Sequence, residues 1–102
     1  MTGNSFGFIL DISVNLATMS ETIDESVSVN LLSNHLKRTA LPSSIYWRGR
    51  RYQVIKIGLH HTLREGRTLF HIFSVTDGTT GFKLRFDTEL LSWKLLEVDI
   101  VS

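Results

Sequence analysis

From residue 26 onward apolar side chains recur at every second position, and this alternation limits the possible folds more than any other feature of the chain. A period of two belongs to strands with one face in a core and the other in water, whereas a surface helix repeats at about 3.6 residues. Val27, Val29 and Leu31 alternate with Ser28 and Asn30. After a polar connection holding Lys37, Arg38 and the single proline, Pro42, a second strand sets Ile45 and Trp47 on one face. Arg48-Gly49 then makes a two-residue turn, with Gly49 free to take positive φ. Pairing across it places Trp47 against Arg50 and Ile45 against Tyr52, so Tyr52 and Val54 share the face of Ile45.

After Val54 the apolar phase slips by one and resumes at Ile55, Ile57, Leu59 and Leu63. A single-residue slip inside a long strand is the mark of a β-bulge, which lets a sheet coil toward a small barrel. For the next turn, a three-residue Arg64-Glu65-Gly66 loop pairs Leu63 with Arg67, His61 with Leu69, Leu59 with His71 and Ile57 with Phe73. A two-residue Glu65-Gly66 turn would scatter Phe73 and Val75 onto the other face, so the first register is preferred. Asp77-Gly78-Thr79-Thr80 turns the chain again, setting Val75 against Phe82, Phe73 against Leu84 and His71 against Phe86. Asp87-Thr88-Glu89-Leu90 follows, with Leu84 facing Trp93 and Phe82 facing Leu95. The expected fold is all-β: a six-stranded antiparallel meander, strongly twisted and curling into a small, partly open barrel.

The 102 residues suffice for one domain, expected over 26–102, and an apolar fraction of 42% excludes wholesale disorder. Residues 1–25 are rich in Ser, Thr and Asn and end in an acidic run, so they are expected to form a mobile N-terminal segment. Phe6, Phe8, Leu10 and Ile12 alternate and suit a short edge strand, while Met19 offers a later natural start. The Phe8-Ile9-Leu10 run is too short for a signal-peptide core or a membrane span, which makes the cytoplasm the expected compartment and a membrane an unexpected partner. The chain has no cysteine, which removes disulfides, thiolate metal ligands and a cysteine nucleophile together.

Charge is unevenly laid out. All 11 Lys and Arg lie between Lys37 and Lys94 with only Glu65, Asp77, Asp87 and Glu89 among them, while Asp11, Glu21, Asp24, Glu25, Glu97 and Asp99 occupy the ends. Such asymmetry marks a polyanion-binding body, or simply a β domain whose exposed faces carry Lys and Arg for solubility. The densest cluster is Ile45-Tyr46-Trp47-Arg48-Gly49-Arg50-Arg51-Tyr52, with three arginines around a tight turn. Arginine forks suit phosphate oxygens, and an exposed aromatic stacks on a base. Lys56, His60, Lys83, Arg85 and Lys94 fall on the outward face of the later strands. Arg48, Arg50, Arg51, Lys56, Lys83, Arg85 and Tyr46 are therefore the candidate nucleic-acid contacts, whereas Trp47 and Tyr52 fall on the core face and serve packing. Phe70 and Ile72, also outward, mark a patch for a protein partner or a second copy of the chain.

Nothing in the sequence supplies catalysis. No serine sits in a Gly-x-Ser-x-Gly frame, no glycine-rich phosphate loop occurs, and the carboxylates are mostly terminal. His61 and His71 are expected as neighbours on the inward face, with His60 outward; two imidazoles fall short of a zinc ligand set, so neither metal nor cofactor is expected.

The run Pro42-x-x-Ile45-x-Trp47-Arg48-Gly49-Arg50-x-Tyr52-x-Val54, with Phe82-x-Leu84-x-Phe86-Asp87 and Trp93-x-Leu95 after it, resembles a group of short bacterial proteins. Those share a Pro-x-x-Phe-x-Trp-x-Gly-Arg-x-Tyr-x-Val signature, and a related domain forms the tail of the polymerase-like subunit of the bacterial mutasome. The likeness spans about residues 26 to 98 and departs from the pattern at His60 and His61, where an aromatic is usual. It implies a small β domain with a DNA-repair protein or nucleic acid as partner, and it brings no catalytic residues. The sequence thus favours an accessory binding module contacting nucleic acid through its basic face, with a protein-interaction or homo-oligomeric module using Phe70, Ile72 and a sheet edge as the alternative.

Overall fold

The computed structural model describes residues 18–101. The alternating segments form β1 (Thr18–Asn34), β2 (Thr39–Trp47), β3 (Arg50–Gln53), β4 (Lys56–Glu65), β5 (Thr68–Thr76), β6 (Thr80–Asp87) and β7 (Ser92–Val101). They make one antiparallel sheet in the order β3-β2-β1-β7-β6-β5-β4. The all-β, antiparallel expectation holds, with seven strands in place of six. Of residues 18–25, placed by their composition in a mobile segment, Thr18 to Thr22 and Glu25 pair with β7, from Thr18↔Val101 to Glu25↔Leu95, with a bulge at Ile23 and Asp24. The Phe6–Ile12 alternation lies outside the described residues.

The seventh strand comes from the phase slip at Val54. The Val54 amide donates to the Ser43 carbonyl at 2.9 Å, and the next amide, Ile55, donates to the Thr76 carbonyl at 2.9 Å. Two consecutive residues thus bond to opposite edges of the sheet, so the expected long strand breaks into β3 and β4. These strands lie at the two ends of the sheet order yet are joined by two residues, so the two edges of the coiled sheet approach each other at this corner. They do not pair with each other, so the sheet is not closed into a barrel.

Turn chemistry sets the registers. Arg48 and Gly49 both have positive φ, 52° and 77°, as a type I′ hairpin turn requires, and Trp47↔Arg50 and Ile45↔Tyr52 pair as expected. The β4–β5 register differs from the expected one. Glu65 pairs with Thr68 across a two-residue Gly66-Arg67 turn, in which Gly66 has φ 60° at the first central position, the place for glycine in a type II′ turn. A bulge between Ile57 and Leu59 then resets the alternation at Gly58. In consequence His60, not His61, faces Phe73, while Leu59, His61 and Leu63 turn outward with Ser74, Ile72 and Phe70. The β5–β6 pairs are those expected. Between β6 and β7 the register moves by two residues, to Phe86↔Trp93 and Leu84↔Leu95, which leaves every side chain on its expected face. A further bulge brings Phe82 to Val98.

The inward face forms one cluster of Ile45, Phe73, Val75, Phe82, Leu84, Leu95 and Val98, with Trp47, Tyr52, Val54, Ile57 and Trp93 packed against it. Tyr52 bridges the two halves of the coiled sheet, its ring 5.1 Å from Phe82 and 6.2 Å from Trp47.

Candidate functional site

The basic turn is folded against the acidic end of the chain. Glu25, on β1, accepts a 2.9 Å hydrogen bond from Trp47 Nε1 and a 2.7 Å bond from Arg48 Nη2, with Arg48 Nε at 3.4 Å. The Arg48 guanidinium also lies 4.6 Å from the centre of the Trp47 ring. The Arg48 hydrogen bond, and after it that of Trp47, holds the Glu25 carboxyl below its ordinary pKa, against a smaller opposing effect of burial. Arg48, expected to meet phosphate, thus already has a carboxylate partner.

The same holds for two more cations. Lys83 pairs with Glu97 at 3.7 Å and Lys94 with Asp24 at 3.4 Å. All three ion pairs among the described residues join the basic middle of the chain to its acidic ends. The segregation along the sequence is therefore in part complementarity within the fold.

Four of the candidate contacts have no carboxylate partner among the described residues. Arg50 lies on the inward side of its turn, 5.2 Å from the Tyr52 ring centre, and Arg51 faces outward opposite the exposed Tyr46 with only a 3.5 Å contact to Gln53. Lys56 opens β4, and Arg85 stacks 4.6 Å over the Phe70 ring. Lys56, Lys83, Arg85 and Lys94 share the outward face as expected, and His60 leaves that group. Arg85 and Lys94 stand directly opposite each other, an arrangement that repels unless an anion lies between or beside them; Asp24 supplies one beside Lys94.

Phe70 and Ile72 do not form the open patch their outward parity suggested. They are 7% and 4% exposed, because β5 is flanked by β4 and β6 and Arg85 lies over the Phe70 ring. Exposed apolar residues lie elsewhere, among them Leu59 and Leu63 on β4, Leu31, Leu32, Leu36 and Leu41 on the β1–β2 ribbon, Ile55 at the corner and Leu90 and Leu91 in the β6–β7 turn. Parity missed the β4 pair because the Gly58 bulge moved them outward.

At the inward mouth of the sheet, His60 Nε2 and His71 Nδ1 are 2.9 Å apart, and the His60 ring stacks on Phe73 at 4.3 Å. With Phe86, Trp93, Leu31 and Ala40 they line a cavity of about 200 Å³. Partial burial, then His71 and His61, holds the His60 pKa below its ordinary 6.5. No group of three or more His, Asp or Glu side chains converges among the described residues, so this pair has no third protein ligand of that kind. No protein-family model, curated protein or solved structure matches the chain.

Proposed function

We propose that the protein is an interaction module, without chemistry of its own, that takes partners by strand addition, a second copy of the chain being the first of them. The observation that carries this is the outer edge of β4. This ten-residue strand pairs only with β5 among the described residues, and it displays Leu59 and Leu63 at 56% and 44% exposure. Edges that stay single are usually short, bulged or charged. Here Gly58 bulges and Lys56 and Arg64 guard the ends, but Leu59-His60-His61-Thr62-Leu63 carries no guard. That segment is also self-complementary. Antiparallel pairing about His61 sets Leu59 against Leu63 of the second copy twice over, an isologous contact. The coiled sheet is in this reading a partly open barrel whose gap supplies the edge. Sedimentation over micromolar to millimolar protein is expected to show a dimer that Leu63→Lys converts to monomer. A wild type that remains monomeric throughout would sink the reading.

A second reading, binding of nucleic acid near DNA repair, draws on the family resemblance and on Arg51 beside Tyr46, with Lys56 and Arg85 also lacking carboxylate partners among the described residues. Phosphate contacts from these three cations to a single strand give log affinity against log salt a slope of about −2. The same oligonucleotide titration at low salt, if flat, removes this reading.

A further inference from the structure

We propose that the cleft between the β1–β2 ribbon and the Val54–Ile57 corner binds an extended acidic peptide with apolar side chains at alternate positions. The cleft measures about 540 Å³, within the range of about 300–1,000 Å³ usual for ligand sites. Three features of its walls select the occupant.

The first is an unpaired stretch of backbone. β3 pairs with β2 only over Ser44–Trp47, and Val54 adds one bond to Ser43 before the chain turns away. From Thr39 to Pro42 the outer side of β2 has no strand beside it among the described residues. Such a margin accepts an added strand through main-chain hydrogen bonds, while alternate side chains enter the adjoining cleft.

The second is an apolar lining with no partner. Leu32 and Leu41, paired across the ribbon, are 71% and 38% exposed, and Ile55 across the cleft is 66% exposed. Among the described residues none of the lining is aromatic, so a nucleic-acid base has no ring there to stack on. Aliphatic side chains at every second position of an added strand fit these walls better.

The third is charge. Lys37 and Lys56 lie on the two sides of the cleft, and among the described residues neither makes an ion pair and no Asp or Glu contributes to the lining. Carboxylates on the peptide complement both lysines, and a basic peptide meets repulsion alone.

The probe is a fluorescein-labelled hexapeptide alternating Glu and Val, titrated by anisotropy against the full chain, with a Lys and Val counterpart as control. Saturable binding of the acidic peptide alone is expected. The double variant Lys37→Glu, Lys56→Glu should weaken it by about tenfold or more through like-charge contact, and Leu41→Asp should weaken it through the apolar wall. Both lysines are exposed, so their reversal leaves the strand circular dichroism unchanged. No binding, equal binding of the basic peptide, or affinity unmoved by both variants overturns the proposal. Displacement of the peptide by oligothymidylate also overturns it, in favour of a polyanion site. The Leu63→Lys chain should bind the peptide as the wild type does, so dimerisation and peptide capture fail separately.

Discussion

Arg48 occupies a left-handed backbone conformation, φ 52°, that is uncommon for any residue with a Cβ. Its fork onto Glu25 and its stacking over Trp47 offset that strain and fasten the basic turn to β1. Because the Glu25 pKa is lowered in the fold, its contribution is present above the unfolded carboxylate range and is lost as pH falls through the folded value. Thermal melts of Glu25→Gln should therefore show a deficit at neutral pH that shrinks toward zero in acid. Ser44 is a second telling residue, 1% exposed with a hydroxyl that has no hydrogen-bond partner among the described residues. Removing an unsatisfied buried hydroxyl is close to neutral or stabilising, so Ser44→Ala should melt no lower than the wild type. Neither feature was legible in the sequence. Twenty-three positions separate Glu25 from Arg48, and it is the antiparallel pairing of β1 with β2 that brings them together.

β4 shows how far alternation carries and where it stops. The Arg48-Gly49 turn and the β5–β6 register were legible because a glycine and an unbroken period of two fix them. The β4 register was not, since Gly58 shifts the phase inside the strand and leaves no compositional trace beyond one glycine. The shift decides which histidine enters the mouth. His60 lies against Phe73 and His71, and its pKa is depressed chiefly by partial burial. The unfolded chain therefore takes up this proton first as pH drops below about 6.5, so stability falls from there down through the folded value. Melting temperatures measured from pH 8 to about 5 should decline more steeply for the wild type than for His60→Asn. Equal slopes would place the acid sensitivity elsewhere.

For the whole molecule, the inward residue set was readable before the topology was. Trp47, Phe73, Leu84 and Trp93 all lie in or against one cluster, as a single shared interior demands. Leu84 is wholly buried in it, and Leu84→Ala should cost about 2–5 kcal/mol in a denaturant titration. Sheet order was hidden, because β1 pairs with β7 from Thr18↔Val101 onward and such long-range pairing has no local signal. That pairing has a consequence for the chain's connectivity. Linking Val101 to Thr18 and cutting between Val54 and Ile55 would yield a permuted chain whose strands follow one another in the order in which they lie side by side. Every connection in that permutant is a hairpin, and no covalent corner ties the first strand to the last. If packing of Tyr52 on Phe82 is what coils the sheet, the permutant keeps its curl and its melting cooperativity. If the tether imposes the curl, the permutant flattens and binds the dyes that report exposed apolar surface.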